Sequence, residues 1–124
     1  MHLGTTPYEV IIDASSLELA AFRARITALS PGERIQCPVF AKHWPEGVAN
    51  GTSLTITCTT GPFLAVCSKD GSLVIDGNAT ILKDFAATFD FGPEVHAGAH
   101  THWDLAGLSD DVHEDSVPLV VQVA

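Results

Sequence analysis

The sequence predicts an α+β domain of two layers, in which a largely antiparallel sheet of about seven strands carries two helices on one face. Three observations support this prediction. Two segments show a single apolar stripe at helical spacing, and several short segments alternate or cluster apolar residues between turn residues. The order of these segments is also similar in the two halves of the chain. A length of 124 residues with 46% hydrophobic residues suits one domain with its own core, at residues 1–124.

The first strand and the first helix follow each other closely near the start of the sequence. Residues 10–12 are β-branched and lead to Asp13, as expected for a short strand. Ser15 and Glu18 have the spacing of a capping box, in which each side chain accepts a backbone N–H of the other residue, so a helix begins here. Three apolar residues then share one helix face: Leu19, Phe22 and Ile26. The helix is expected to end before the Ser-Pro-Gly sequence at residues 30–32.

Three further strands are expected in the middle of the chain. Residues 53–59 alternate apolar side chains with threonine, which is typical of a half-buried strand. The Gly-Pro pair at residues 61–62 turns the chain into residues 63–67, which are apolar on both faces and are expected to form a central strand. A turn at residues 69–71 then leads to the next strand, at residues 73–75.

The second helix is similar to the first. It is expected to begin at Asn78, a capping residue, and to end before Gly92. Its apolar face repeats the spacing of the first helix: Leu82, Phe85 and Phe89. Each helix therefore has one apolar stripe and a polar back, which favours placing both helices on one face of the sheet.

The similarity of the two halves predicts an internal duplication. The order of strand, Asp, capping residue and helix face recurs, and His43-Trp44 in the first half matches His102-Trp103 in the second. We therefore predict two tandem βαββ-type units at about residues 8–60 and 71–124. Two alternatives stay open, since any two strand–helix units look alike and a ferredoxin-like βαββαβ order would use similar segments.

Charge is distributed unevenly along the chain. Residues 84–124 contain eight carboxylates, four histidines and no lysine or arginine, whereas residues 1–83 contain seven acids and six bases. The formal net charge of −9 argues against nucleic acid as a ligand and favours a basic protein partner. Apolar runs are too short for a membrane span, the first residues lack a signal-peptide pattern, and the three cysteines form no CxxC pair. We therefore expect a cytoplasmic protein with reduced core thiols.

A strand-like stretch in this acidic region carries two histidines on one face. One face of residues 98–105 is expected in the core: Ala99, Thr101, Trp103 and Leu105. The other is expected in solvent: Gly98, His100, His102 and Asp104. Histidines at i and i+2 have Cβ atoms ~7 Å apart, which would suit two ligands of one metal. In this alternative the metal ligands are His96, His100 and His102. His113, Asp110 or Asp111 could supply the third ligand in place of His96. We favour a polar strand face that forms part of a binding surface over this metal site and over a histidine in catalysis or pH sensing.

The loop after this strand is acidic. Four carboxylates without a basic neighbour in sequence lie in residues 109–116: Asp110, Asp111, Glu114 and Asp115. Such a run is typical of a solvated loop, and the functional alternative is a patch that binds a basic partner. The chain has no GxSxG element, no Gly-rich phosphate loop and no CxxC pair, and these carboxylates have no reason to be desolvated. We therefore expect no enzymatic activity and no cofactor.

The second half contains a recognisable order of short motifs. A strand at residues 73–77 precedes the second helix, Gly-Ala-His-Thr-His-Trp-Asp follows at residues 98–104, and Glu-Asp-Ser at residues 114–116 precedes a final strand at residues 118–121. Over about residues 54–124, this order resembles the immunity protein 32-like family of bacterial polymorphic toxin systems. The resemblance implies a small cytoplasmic protein that neutralises a toxin by binding it. Seven positions would carry over as surface candidates: His100, His102, Asp104, Asp115, Ser116, Pro118 and Leu119.

These observations together favour a non-enzymatic binding protein, of the immunity type, that neutralises a basic toxin domain such as a nuclease through an acidic C-terminal surface. The candidate partner-binding residues are His100, His102, Asp104, Asp110, Asp111, Glu114 and Asp115. A small metal-binding protein that uses the His100 and His102 strand is one alternative. A homodimeric structural module that pairs through edge strands is another. We expect a protein partner for a monomer or homodimer, and neither nucleic acid nor a membrane.

Overall fold

The computed structural model describes residues 1–92, 95–104 and 110–124. Within these ranges the chain forms two α-helices and nine strands, so the predicted α+β class is confirmed. The strands are β1 (His2–Thr5), β2 (Val10–Ala14), β3 (Arg34–Cys37), β4 (Ala49–Asn50), β5 (Ser53–Cys58), β6 (Ala65–Lys69), β7 (Ser72–Gly77), β8 (His100–Trp103) and β9 (Leu119–Val123). The helices are α1 (Ser16–Thr27) and α2 (Ala79–Ala86), and a 3₁₀ turn at Ala87–Phe89 continues α2.

Both helices begin where the sequence predicts. The Glu18 N–H donates to Ser15 Oγ at 3.1 Å and the Ser15 N–H donates to Glu18 Oε1 at 3.3 Å, which completes the capping box of α1. Asn78 Oδ1 accepts the N–H of Ile81 at 2.9 Å and caps α2. The two predicted helix faces are buried: Leu19, Phe22, Ile26, Leu82, Phe85 and Phe89.

The strands form two sheets, so the predicted single sheet of about seven strands is wrong. The five-stranded sheet has the order β4-β1-β2-β9-β8, and the four-stranded sheet has the order β3-β5-β7-β6. Each sheet has one parallel pair at its centre, β2 with β9 and β5 with β7, and antiparallel strands around it. Apolar alternation in the sequence identifies strands but carries no information on which strands pair, and this explains the error.

Each sheet combines strands from both halves of the chain. In the first half, the hairpin β1-β2 lies in the five-stranded sheet and leads into α1, and the later strands β3 and β5 lie in the four-stranded sheet. Apart from β4, which has no counterpart among the described residues, the second half repeats this order with the sheets interchanged. Its hairpin β6-β7 precedes α2 in the four-stranded sheet, and β8 and β9 return to the five-stranded sheet. β8 therefore corresponds to β3, because each is the strand that follows the helix of its half.

The predicted match between His43-Trp44 and His102-Trp103 is not supported by this order. Residues 38–48 form no strand, whereas His102 and Trp103 lie in β8. Trp44 is instead held on the outer face of the five-stranded sheet, where its indole N–H donates to Asn50 Oδ1 at 2.9 Å.

The inner faces of both sheets and the apolar faces of both helices form one hydrophobic core. Phe22 of α1 contacts Phe89 edge-on, with ring centroids 5.0 Å apart, and Phe85 of α2 contacts Trp103 of β8 at 5.6 Å. These contacts join the helices to the five-stranded sheet and orient β8. Neither helix of the described chain has the length and apolar character that a membrane crossing requires.

Candidate functional site

The predicted acidic loop is held against the edge of the four-stranded sheet. Leu64 donates its N–H to Asp111 O at 2.7 Å, and its carbonyl accepts the N–H of His113 at 2.8 Å. Two residues further along, Val66 donates its N–H to Ser116 Oγ at 3.1 Å and accepts the N–H of Val117 at 2.9 Å. The backbone from residue 111 to residue 117 is therefore fixed along β6.

This attachment separates buried from exposed side chains in the acidic segment, which we define as residues 110–116. Val112 and Ser116 are buried against the sheet. The four predicted carboxylates are exposed: Asp110, Asp111, Glu114 and Asp115. Ser109, which the predicted loop also included, lies outside the described residues. The segment therefore presents its charges to solvent from a backbone with defined hydrogen-bond partners.

The acidic segment contains four carboxylates and one histidine, His113. Within the described residues, Asp115 has an ion pair with His113, in which Nδ1 and Oδ2 are 3.9 Å apart. No described lysine or arginine forms an ion pair with Asp110, Glu114 or Asp115. The His113 ring contacts Phe63 edge-on at 6.3 Å between centroids, which holds it beside the sheet edge. The four carboxylates therefore make the surface potential here negative.

Strand β8 places its two histidines on the outer face of the five-stranded sheet, as predicted. His100 lies opposite Gln122 of β9 and His102 lies opposite Val120, and both histidines are exposed. Their rings meet edge-on with centroids 4.9 Å apart. The inward residues are also as predicted, since Trp103 is buried and the Thr101 hydroxyl donates to the Thr88 carbonyl at 2.6 Å. Asp104 is exposed, and Leu105 lies outside the described residues.

The described residues provide no third ligand for a metal at these histidines. No group of three or more His, Cys, Asp or Glu side chains in the described ranges is arranged to hold a metal ion. His96, the third member of the alternative set, is exposed before β8. Two imidazoles alone fall short of the three or four protein ligands that zinc sites use.

The structure separates the histidine face from the acidic segment. His100 and His102 lie on the outer face of the five-stranded sheet, and the acidic segment follows the edge of the four-stranded sheet. Within the described chain, no hydrogen bond or ion pair joins either histidine to Asp110, Glu114 or Asp115. Closeness in sequence had placed them on one surface, but β8 is a strand of the five-stranded sheet and the acidic segment is bonded along the edge of the four-stranded sheet.

A buried charge network beside the histidines was missed from the sequence. Asp13 of β2 is 4% exposed, and its carboxylate accepts hydrogen bonds from Lys42 Nζ at 2.5 Å and from Gln122 Nε2 at 3.1 Å. The Lys42 ammonium also lies 4.0 Å from the centroid of the Trp44 ring. The signal in the sequence was an acid within an apolar strand, but nothing in the sequence identified its basic partner.

Gly4 allows this network to lie close to the sheet. A Cβ atom at Gly4 would be 2.8 Å from Val48 Cγ1 and 3.0 Å from Trp44 Cζ2. Residues 38–48 therefore pack on the outer face of β1 and β2 at a position where only glycine fits. The result is that Asp13 is covered, whereas the histidines of β8 stay exposed.

Two adjoining cavities lie between α2 and the acidic segment. The inner cavity, about 190 Å³, has an apolar floor: Leu64, Phe85, Trp103 and Val112. The outer cavity, about 490 Å³, extends past the start of α2 to Thr59, Thr60 and Pro62. Both are lined by Ile81, Asp84 and Asp111. Asp84 was not singled out from the sequence, where it is one more acid on the polar side of a helix.

The three cysteines occupy different environments. Cys58 is buried, Cys67 is exposed on β6 and Cys37 is half-buried, so the expectation that all three are core thiols is wrong for Cys67. Burial raises the pKa of the Cys37 thiol, and the Arg25 guanidinium, with Nη1 4.0 Å from Sγ, partly opposes this. The Cys37 thiol therefore stays in its protonated, weakly nucleophilic form at neutral pH.

Comparison of this chain with protein-family models, with curated proteins and with solved structures found no match.

Proposed function

We propose that this protein is a non-enzymatic, immunity-type inhibitor that neutralises a basic toxin domain, such as a nuclease, by binding it. The observation that carries this proposal is the acidic segment, whose exposed carboxylates lie on a backbone fixed to β6. A protein that displays negative charge from a rigid edge suits the recognition of a positively charged protein surface.

Two physical effects favour rapid and stable binding by such a segment. Long-range attraction raises the association rate, which an inhibitor of a lethal enzyme needs. The hydrogen bonds to Leu64 and Val66 also fix the backbone before binding, so less conformational entropy is lost in the complex. A flexible acidic tail would have the first advantage without the second.

The resemblance to the immunity protein 32-like family supports the same proposal, and the structure divides its motif residues into two groups. Leu119 and Ser116 are buried, and the Pro118 carbonyl accepts the N–H of Val10, so these three serve the fold. The exposed group, which remains available to a partner, is His100, His102, Asp104 and Asp115. We further propose that the chain arose by duplication of one unit, a proposal supported by the similar order of strands and helix in its halves.

Binding to a toxin domain tests the proposal, and the domain to use is the one that a search of the genes beside this chain identifies. The purified toxin domain is immobilised, and association and dissociation rates are measured at several salt concentrations. We expect specific binding to the wild-type chain, with an association rate that falls as salt rises. Neutralising all four carboxylates of the acidic segment, as Asp110→Asn, Asp111→Asn, Glu114→Gln and Asp115→Asn, should lower the association rate by about tenfold or more at low salt.

A matched pair of variants separates a local effect from the loss of net charge. Glu114→Gln with Asp115→Asn removes two charges from the acidic segment, and Glu46→Gln with Asp70→Asn removes two exposed charges elsewhere. The first pair should slow association more than the second. Equal rates for the two pairs, or an unchanged salt dependence in the fourfold variant, would rule out the acidic segment as the binding surface.

A further inference from the structure

The cavity between α2 and the acidic segment combines apolar walls with negative charge. Its inner part is walled by the buried side chains Leu64, Phe85 and Trp103. Asp84, Asp111 and Ile81 line both the inner and the outer part. Among the described residues, neither part is lined by a lysine, an arginine or a histidine. The lining therefore combines apolar side chains with two acidic residues.

We propose that this cavity binds one lysine or arginine side chain of a basic protein partner. Both side chains have an apolar stem and a cationic end, so the stem can lie against Phe85, Trp103 and Ile81 while the cation pairs with Asp84 and Asp111. The inference rests on the proposed function, because it names the feature of the basic partner that this surface selects.

Other guests fit the cavity less well. An anion would be repelled by two carboxylates without a cation among the described lining residues. An uncharged apolar side chain would cover the carboxylates and remove water from them without supplying a partner. The start of α2 lines the outer part, but the N–H of Ile81 is already bonded to Asn78, which reduces its attraction for an anion.

The cavity and the exposed carboxylates would have different effects on binding. Exposed charges on the acidic segment act at long range and mainly set the association rate. A side chain enclosed by apolar walls and paired with carboxylates loses its water, so its removal acts mainly on the dissociation rate. We therefore expect the cavity to contain the strongest single contact of the complex.

Small model compounds test the cavity without the partner. The ¹⁵N-labelled chain is titrated with N-acetyl-argininamide and N-acetyl-lysinamide, with N-acetyl-citrullinamide as a neutral compound of similar shape. We expect the cationic compounds to shift the amide signals of Ile81 and Asp84 and the indole signal of Trp103. Citrullinamide should bind at least about tenfold more weakly. Equal shifts for all three compounds, or shifts confined to residues 110–116, would overturn the proposal.

Two variants and one control complete the test. Asp84→Asn removes the charge without changing the shape of the cavity, and Ile81→Phe narrows the cavity without changing its charge. Each should weaken argininamide binding by about tenfold. The control is Asp70→Asn, which makes the same chemical change at the opposite end of β7, at a residue with φ of 53° that Asn also adopts. If both cavity variants fold, as judged by their amide spectra, and bind argininamide like the control, the cavity does not bind this side chain.

Failure of this inference can be distinguished from failure of the proposed function. If the toxin domain binds the wild-type chain and Asp84→Asn equally well, with equal dissociation rates, the inhibitor function stands and the cavity proposal is wrong. If argininamide binds in the cavity but the toxin domain does not bind the chain, the cavity proposal stands for another basic partner and the toxin assignment is wrong.

Discussion

Asp13 shows how one buried charge stabilises the outer face of the five-stranded sheet. Its side chain is 5% exposed, whereas the side chain of its partner Lys42 is 28% exposed. A carboxylate with so little contact with water depends on its hydrogen-bond donors, here Lys42 and Gln122. Because Lys42 belongs to residues 38–48, the ion pair also attaches this segment to the sheet.

Lys42→Met should destabilise the fold by about 2 kcal/mol, because it leaves the Asp13 carboxylate buried with a single donor. The methionine keeps most of the aliphatic stem beside Trp44, so the variant removes the positive charge but little of the apolar packing. Adding Asp13→Asn should restore part of the loss, since a neutral amide needs no counter-charge and can still accept from Gln122. Urea unfolding of the two single variants and the double variant measures this coupling. If the double variant is no more stable than Lys42→Met alone, Lys42 does not stabilise the fold by compensating the charge of Asp13.

At the scale of elements, the start of α1 combines a capping box with a terminal charge. Glu18 accepts a hydrogen bond from the Met1 amino group at 2.9 Å, in addition to its bonds with Ser15. The bond from the amino group, followed by the backbone bond from Ser15, lowers the pKa of the Glu18 carboxyl. The helix is therefore coupled to the start of β1 through a single carboxylate.

Glu18→Gln should reduce stability at neutral pH and have little effect in acid. The folded state lowers the pKa of Glu18, so the ionised carboxylate stabilises the fold above its unfolded pKa of about 4.3, and this contribution disappears as pH falls through the lower folded pKa. Glutamine retains the neutral hydrogen bonds of the capping box. Because the Glu18 side chain is half exposed, we expect a loss of only about 0.5 kcal/mol at pH 7. Urea unfolding of the wild type and Glu18→Gln at pH 7 and near pH 3 measures this loss of stability. An equal loss at both pH values would show that the charge of Glu18 does not stabilise the fold.

One buried hydroxyl, that of Ser116, adds to the backbone hydrogen bonds that attach the acidic segment. Ser116→Ala removes the acceptor of the Val66 N–H, which lies inside the protein, and should cost about 1–3 kcal/mol. Hydrogen exchange at the Val66 amide should become faster because this amide loses its partner. The control is Ser68→Ala on the same strand, where the side chain is exposed. Unchanged exchange at Val66 would mean that the segment is held by its backbone bonds alone.

For the whole molecule, the sequence predicted the elements better than their assembly. The helix starts at Ser15 and Asn78 and the buried helix faces are confirmed, because capping and apolar periodicity act between neighbouring residues. The two sheets were not predicted, since the pairing of β2 with β9 joins residues that no local pattern connects.

In the candidate site, too, the sequence predicted the features that depend on neighbouring residues and missed those that depend on residues distant in sequence. The outward direction of His100 and His102 followed from strand alternation and is confirmed. The attachment of Ser116 to Val66 and the position of Asp84 opposite Asp111 depend on elements that are distant in sequence. The sequence therefore identified charged residues of the surface, whereas the cavity required the arrangement of both sheets and α2.

The interchange of strands between the two sheets has a consequence for how the chain reaches its folded state. Neither half contains a complete sheet, because residues 1–61 alone would lack β9 and β7, the parallel partners of β2 and β5. We therefore expect the whole chain to unfold in one transition. Pairing β2 with β9 also closes a very long loop, which slows folding. During synthesis on the ribosome, β2 cannot pair with β9 until residues 119–123 have emerged. On the proposed function, the chain would therefore bind its toxin only after β9 has been translated.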